Sequence, residues 1–193
     1  MATEFELKYC CDPARLAAIR EAFPGEWVQT PMSTTYYDTP DGTLSRRRWT
    51  LRHRKEGSKD ICTLKTPAPG GARGEWELEC DDIAWAISHL AAASGCAELE
   101  VLAKKGLVIA CGARFTRLSS LLELEGCTAE LALDEGILLG GGREISLCEA
   151  ELELKSGSPE ALVAFASQFQ TRFSLSPEPR SKFARAKALA QED

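Results

Sequence analysis

The sequence predicts an α+β fold in which helices pack against a large antiparallel sheet. Two segments far apart in the chain, Glu4-Phe5-Glu6-Leu7-Lys8 and Glu149-Ala150-Glu151-Leu152-Glu153-Leu154-Lys155, alternate charged and apolar residues at the two-residue period of a strand. Roughly eight segments of this kind occur, and turn sequences rich in glycine and proline separate many of them, which is typical of strands joined as hairpins. Apolar residues at helical spacing between some of the strands predict the helices.

The predicted strands follow from this alternation and from the turns between them. Thr39-Pro40-Asp41-Gly42 predicts a turn because proline fixes φ and glycine permits positive φ. The loop at residues 67–72 lies between two alternating segments and predicts a hairpin. Gly140-Gly141-Gly142 predicts a turn or connection rather than a phosphate loop, since no Gly-Lys-Ser/Thr follows. The predicted strands lie at residues 3–10, 32–38, 46–54, 59–66, 73–79, 107–117, 121–125, 127–134 and 145–155.

The predicted helices are indicated by their capping residues and apolar faces. Asp12-Pro13 and Ser158-Pro159 each place a capping side chain before a proline at the first helical position. The other predicted helices lie at residues 81–94, 98–105 and 181–191. The chain contains no repeat of fixed period and no low-complexity segment, so residues 1–193 are predicted to form a single domain.

Composition and charge limit the classes of function. The 193 residues carry a net charge of −6, which gives no reason to expect a general nucleic-acid binder. No apolar run reaches membrane-spanning length, and Glu4 and Glu6 would disrupt a signal peptide, so we expect a cytosolic protein with no membrane partner. The eight cysteines form no Cys-x-x-Cys pair and are scattered through apolar segments, which indicates reduced thiols.

The strand pattern leaves open where the charged face lies. A sheet of roughly eight antiparallel strands can close into a barrel, which would turn the charged face toward the lumen. Such a lumen would need water, paired acids and bases, metal and an anionic ligand, because unpaired buried ions are costly. An open sheet with a wetted charged face avoids that cost, and spacing does not decide between the two. The apolar residues expected to pack under the helices are Leu7, Leu51, Leu64, Leu131, Leu133, Leu152 and Leu154.

Ordered sequence elements resemble those of the CYTH superfamily, also called triphosphate tunnel metalloenzymes. Glu4-Phe5-Glu6-Leu7-Lys8 matches the family's Glu-x-Glu-x-Lys signature. The resemblance extends from Thr3 to about Ala190, and the chain is most similar to the branch of bacterial inorganic triphosphatases. The remaining elements are Tyr36-Tyr37-Asp38-Thr39-Pro40, Leu51-Arg52-His53-Arg54, Thr63-Leu64-Lys65, residues 73–77, Arg117, Glu130-Leu131-Ala132-Leu133-Asp134, residues 149–155 and Ser181-Lys182.

The resemblance implies a closed eight-stranded antiparallel tunnel, with helices packed on the outside, that holds a triphosphate and the divalent cations Mg²⁺ or Mn²⁺. The residues that would bind the triphosphate are Lys8, Arg52, Arg54, Lys65, Arg117 and Lys182. Those that would hold metal are Glu4, Glu6, Glu151 and Glu153, and the candidate catalytic residues are Lys8, Glu4 and Glu153. Second-tier candidates, either ligands or partners of an arginine, are Glu130, Glu149, Asp134, Arg73, Glu75, Glu77 and Lys155.

The implied reaction is metal-assisted hydrolysis of the terminal phosphoanhydride of inorganic triphosphate. Phosphoryl transfer needs little covalent work from the protein, so the site would act by positioning and by stabilising charge. Lys8 is either a phosphate ligand or a group that helps to activate water, and we favour the phosphate ligand. Alternatives within the superfamily are thiamine triphosphatase, nucleoside or RNA triphosphatase and adenylyl cyclase; a non-catalytic polyphosphate or nucleotide sensor would be better served by fewer acids. We expect a small-molecule polyphosphate substrate and a monomer or homodimer.

Overall fold

A computed structural model describes residues 2–68 and 73–190, with side chains from residue 5 onward. The strands are β1 (Ala2–Glu4), β2 (Glu6–Cys10), β3 (Val28–Asp38), β4 (Thr50–Glu56), β5 (Lys59–Pro67), β6 (Arg73–Glu79), β7 (Val108–Leu124), β8 (Cys127–Gly140), β9 (Arg143–Gly157) and β10 (Ser176–Pro177). The helices are α1 (Pro13–Ala22), α2 (Thr43–Arg46), α3 (Ile83–Ser94), α4 (Glu98–Ala103), α5 (Pro159–Phe173) and α6 (Lys182–Leu189). The predicted α+β class is therefore confirmed.

The strands of the described residues form one antiparallel sheet in the order β1-β6-β5-β4-β3-β7-β8-β9-β2-β10. The prediction of a closed eight-stranded barrel is wrong in strand number and in closure. The sheet has ten strands, and its first and last, β1 and β10, pair with β6 and β2 rather than with each other within the part of the chain described. Only Phe5 separates β1 from β2. Through β1 the N-terminal segment pairs with β6, near one end of the sheet order, and through β2 it pairs with β9, near the other end.

The apolar face of the sheet packs under four helices. Helices α1 and α5 cover a cluster that contains the predicted core residues Leu131, Leu133 and Leu152, with Leu7 and Leu154 packed against it. Helices α3 and α4 cover a second cluster, which contains the other two predicted core residues, Leu51 of β4 and Leu64 of β5. Burial of apolar side chains supplies most of the driving force for folding. Because the apolar face of each strand packs under these helices, the charged face is turned away from them.

Helix α6 packs differently from the other helices and lies on the charged side of the sheet. Ala186 and Leu189 pack with Leu138 and Leu147, which share strand faces with Asp134 and Glu149 by the two-residue period. The expectation that the helices lie on the outside of the sheet is therefore wrong for α6. Its position explains how Lys182, at its first turn, reaches the charged face.

Local hydrogen bonds explain where the predicted elements shift. The strand predicted at residues 46–54 begins only at β4 because a short helix, α2, precedes it. The buried carboxylate of Asp38 accepts hydrogen bonds from the backbone N–H groups of Thr39 and Leu44, both at 2.9 Å, and Thr43 donates its N–H to the Thr39 hydroxyl. These bonds satisfy the N–H groups at the start of α2.

Two further differences concern the later strands. The strands predicted at residues 107–117 and 121–125 form one continuous strand, β7, whereas β10 was not predicted. All eight cysteines are free thiols, as expected. No helix of the described residues is long and apolar enough to cross a membrane.

Candidate active site

One cavity of about 1230 Å³ gathers the charged side chains of the sheet. Residues of the eight strands from β2 to β9 line it, together with residues of α2 and α6. Its described lining includes twelve Lys and Arg side chains but only seven Glu side chains, although the whole chain carries a net charge of −6. The cavity therefore concentrates positive charge, and a concave site of this kind favours an anionic ligand.

Three of the predicted phosphate-binding cations come from β4 and β5. The guanidinium of Arg52 lies 3.5 Å from Glu75 and 3.4 Å from Glu77, and the ammonium of Lys65 lies 3.0 Å from Glu75. Arg54 is almost fully buried and donates from Nε to the hydroxyl of Thr34 at 3.0 Å. All three side chains line the cavity. The two glutamates of β6 are ion-pair partners of Arg52 and Lys65, whereas Arg54 pairs with Glu56.

The other two central cations, Arg117 and Lys182, sit in a buried network of acids. Arg117 donates to both carboxylate oxygens of Asp134, at 2.8 and 2.7 Å, and also to Glu151. Lys182 lies 2.8 Å from Asp134 and 2.8 Å from Glu151 and also contacts Glu149. Burial acts to lower the pKa of Lys182, but these three carboxylates outweigh it and raise that pKa.

We call Asp134, Glu149 and Glu151 the deep cluster. One carboxylate oxygen of each lies within 4.8 Å of the others, which is a spacing compatible with a metal site. Asp134 and Glu149 are fully buried, however, and the two oxygens of Glu151 are taken by Arg117 and Lys182. Although burial acts to raise the pKa of Glu151, those two cations lower it well below its usual range. Positive charge already satisfies the deep cluster, so it fits a metal poorly.

A second acidic group, the open row, lies on three neighbouring strands. Glu6 on β2 is paired in register with Glu153 on β9, which is paired in turn with Glu130 on β8. The three side chains are 27–30% exposed and line the cavity. Carboxylate oxygens at an open, hydrated wall are the donors that Mg²⁺ and Mn²⁺ prefer, and such ions keep room for phosphate oxygens. The open row therefore fits a divalent cation.

Two lysines accompany the open row. Lys8 lies 2.6 Å from Glu6, and Lys155 lies 2.9 Å from Glu153 and 3.7 Å from Glu130. Burial lowers the pKa of Lys8, but the charge and hydrogen bond of Glu6, together with the charges of Glu151 and Glu149, outweigh it, so the net pKa is raised and the ammonium stays charged. The side chain of the fourth predicted metal ligand, Glu4, lies outside the described side chains; its backbone pairs with Arg73.

The structure also contains one functional candidate, Arg185, that the sequence did not indicate. Arg185 of α6 contacts the buried carboxylate of Glu149 and lies 3.9 Å from Glu178. It follows Lys182 by three residues in a helix, so the two side chains share one helix face. That spacing was available in the sequence, but Glu149, the acid that both side chains contact, comes from the distant strand β9. Arg73, a second-tier candidate, lines the cavity and donates to the hydroxyl of Thr50 at 3.0 Å.

Comparisons with known proteins place these features in a family. The sequence profile of the CYTH domain matches residues 2–186. A curated relative, the inorganic triphosphatase of Haemophilus influenzae, is 31% identical over 136 residues, which are 69% of this chain. The match covers 39% of that relative, so the chain spans about two fifths of its length.

Solved structures share the fold. The Hippeastrum protein HpAC1, described as having a dominant triphosphatase activity, is 21% identical with a TM-score of 0.63, covering 97% of this chain and 96% of its own. The PH1819 protein from Pyrococcus horikoshii is also 21% identical with a TM-score of 0.63, covering 98% and 99% of the two chains. At 21% identity, these two similarities show a shared fold and nothing about activity.

Proposed function

The chain belongs to the CYTH domain family, and we propose that it hydrolyses the terminal phosphoanhydride of inorganic triphosphate with the help of a divalent cation. The observation that carries this proposal is the coexistence, in one cavity, of a cationic surface and an open carboxylate row. A purely anion-binding cavity would gain from the cations and lose from the acids, whereas a metal-assisted phosphatase needs both. The triphosphatase names of the relatives support the same reaction class.

The cationic side chains would bind the phosphoryl oxygens. Arg52, Arg54 and Lys65 present positive charge from β4 and β5, and Arg117 and Lys182 from β7 and α6. Arginine suits this work because its planar guanidinium can donate two hydrogen bonds to one phosphate and remains charged. These cations already form ion pairs with acidic side chains. Binding of the substrate, which carries three or more negative charges, would replace some of those ion pairs with contacts to phosphate oxygens.

The open row would hold the cation, which we take to be Mg²⁺ or Mn²⁺. When bound, such an ion polarises phosphoryl oxygens and lowers the charge of the substrate. We assign Glu6 and Glu153 as ligands, with Glu130 beside them and Glu4 as a further predicted ligand. Glu151 was predicted as a ligand too, but its two ion pairs favour a role in holding Arg117 and Lys182.

The protein's own groups would then position the reaction. Water attacks the terminal phosphorus, a new P–O bond forms, and the bond from that phosphorus to the bridging oxygen breaks, giving orthophosphate and pyrophosphate. Glu153 would accept a hydrogen bond from the attacking water and orient it. Lys8 would neutralise charge on the phosphates, because its ammonium is held in the cavity wall by Glu6. A cytosolic location and a monomeric or homodimeric state stay predictions.

The test is phosphate release by the purified chain from tripolyphosphate, ATP and thiamine triphosphate, each with Mg²⁺, with Mn²⁺ and with EDTA. We expect tripolyphosphate to be hydrolysed fastest, in a strictly cation-dependent reaction that yields one orthophosphate and one pyrophosphate. Preferential release from one of the organic triphosphates would reassign the substrate within the family. Tight binding of tripolyphosphate without phosphate release from any substrate would contradict hydrolysis and indicate a sensor.

A further inference from the structure

Three cations that line the cavity surround one aromatic ring, that of Phe115. The guanidinium carbons of Arg54 and Arg117 each lie 5.9 Å from the ring centroid, and the ammonium of Lys182 lies 5.2 Å from it. These distances are within the range of about 6 Å in which a cation is attracted by the negative face of an aromatic ring. The three cations come from β4, β7 and α6, so they share the ring as a common contact.

The ring is held firmly on the cavity side of the sheet. Phe115 precedes Arg117 by two residues on β7, so the two side chains share a strand face. It is 6% exposed and is paired in register with Met32 on one neighbouring strand and Gly136 on the other. A Cβ atom at Gly136 would clash with the Arg114 carbonyl oxygen and come within 2.5 Å of the Phe115 Cα. Position 136 therefore needs glycine because β8 lies close against the β7 backbone beside Phe115.

The three cations repel each other, and their acidic partners are unevenly shared. Arg117 and Lys182 both pair with Asp134 and Glu151. Arg54 instead has the Thr34 hydroxyl and a 3.4 Å contact with Glu56. Burial, with the neighbouring charges of Arg52 and Arg117, lowers the pKa of Arg54. A carboxylate side chain placed between the three cations would reduce their mutual repulsion, but its negative charge would also repel a bound phosphate.

We propose that Phe115 is a positioning residue that draws Arg54, Arg117 and Lys182 onto one anion-binding surface without adding negative charge to it. The ring attracts cations through its quadrupole, which falls off faster with distance than the field of an ion. A bound phosphate therefore meets the three positive charges already gathered. This role rests on the proposed function, because it assumes that these cations bind the phosphates of the substrate.

The test replaces Phe115 by phenylalanines that carry one, two, three and five ring fluorines. Fluorination weakens the negative face of the ring in steps while the side chain keeps nearly the same shape. We expect the Kd for tripolyphosphate, measured by calorimetry without added metal, to rise in the same steps, to roughly fivefold to tenfold at five fluorines. A Kd that stays constant across the series, or falls, would overturn the proposal.

The matched control is the same series at Phe169. That ring is as buried as Phe115 but packs against Tyr9 and Phe173 in the cluster under α5. Fluorination there perturbs packing in a similar way and should leave the Kd for tripolyphosphate unchanged. An equal rise in both series would mean that Phe115 acts through packing alone and would count against the proposal.

A measurement without substrate separates this role from the proposed function. Thermal unfolding of Phe115→Leu and Phe169→Leu is compared at low and high NaCl concentration. Salt screens repulsion between charges that face a wet cavity, so the loss of Tm in Phe115→Leu should shrink at high salt, while that in Phe169→Leu should not. Equal, salt-independent losses would overturn the proposal. If the wild-type chain neither binds nor hydrolyses tripolyphosphate, the proposed function fails, and this comparison still decides the role of the ring.

Discussion

The deep cluster and the open row are both groups of three carboxylates on the charged face of the sheet, and β8 and β9 contribute to both, yet their surroundings differ. In the deep cluster, Asp134 and Glu149 are fully buried and ion-paired to Arg117, Lys182 and Arg185. In the open row, each glutamate is more than a quarter exposed and faces the cavity, with lysines beside it. Close spacing of carboxylates alone therefore does not identify a metal site. Solvent access and the charges already present decide which group can take a cation.

The largest effect should follow from Asp134→Asn in the deep cluster. The change removes a charge that contacts both Arg117 and Lys182, and breaking a buried ion pair on one side costs about 3–5 kcal/mol. We expect a loss of this size in the free energy of unfolding, measured with urea. Glu144→Gln is the control, because its pair with Arg114 is more than half exposed, and it should change stability by less than about 1 kcal/mol. Equal effects of the two changes would mean that the deep cluster is not a stabilising network.

The next largest effect should follow from Glu153→Gln in the open row, and it should fall on catalysis. Removing one group that stabilises the transition state typically costs about a hundredfold to a thousandfold in kcat. We expect at least a hundredfold loss of phosphate release from tripolyphosphate, while the Tm stays close to that of the wild type. Glu4→Gln should behave in the same way. Glu79→Gln, a change of an exposed glutamate on β6, is the control. Wild-type rates in both Glu153→Gln and Glu4→Gln would contradict the assignment.

A smaller effect is expected in the pH dependence of stability at Glu151. Its pKa in the folded protein is well below the value of 4.5 for a free side chain, mainly because Lys182 and Arg117 oppose the effect of burial. The charged form therefore stabilises the fold fully above about pH 4.5, and this contribution is lost as the pH falls toward the folded pKa. Burial raises the pKa of Glu149 to about 7, and this carboxyl is coupled to Glu151, so its titration also contributes to the difference between wild type and Glu151→Gln near neutral pH. Below about pH 4.5 that stability difference should shrink by roughly 1 kcal/mol per pH unit as Glu151 loses its charge. A difference that grows as the pH falls below about 4.5 would show the opposite shift.

The smallest effect is expected for Lys155→Met. Lys155 is a partly exposed partner of Glu153 and Glu130, so its loss should change the free energy of unfolding by less than about 1 kcal/mol. Removing a positive charge beside the open row should make a divalent cation bind slightly more tightly, by about twofold to threefold. The affinity for Mn²⁺ measures this. Weaker binding would mean that Lys155 supports the cation site indirectly.

Much of the charged face could be predicted from the sequence because strand geometry is local. The two-residue period places Glu6 with Lys8, and Glu151 with Glu153, on one face of each strand, and the structure has them there. The sequence could not separate Glu151 from Glu153. That difference comes from Arg117 and Lys182, which lie far away in the chain and reach only the first of the two.

The parts that could not be predicted depend on long-range packing. The register of β8, β9 and β2 aligns Glu130, Glu153 and Glu6 across three strands. The position of α6 on the charged side follows from the fit of Ala186 and Leu189 against the sheet, and it brings Lys182 and Arg185 to the deep cluster. Neither relation leaves a local pattern in the sequence. The expected barrel closure likewise depends on which strands pair, and the sheet order ends at β1 and β10.

The most direct test of the difference between the two acidic groups is Mn²⁺ binding, followed by the electron paramagnetic resonance signal of the free ion. Wild type, Glu153→Gln and Asp134→Asn are titrated at a temperature at which all three are folded, with tripolyphosphate absent. We predict that Glu153→Gln loses most of its affinity for Mn²⁺ while Asp134→Asn keeps an affinity near that of the wild type. Loss of affinity in Asp134→Asn together with normal binding in Glu153→Gln would place the cation in the deep cluster and contradict the assignment of the open row.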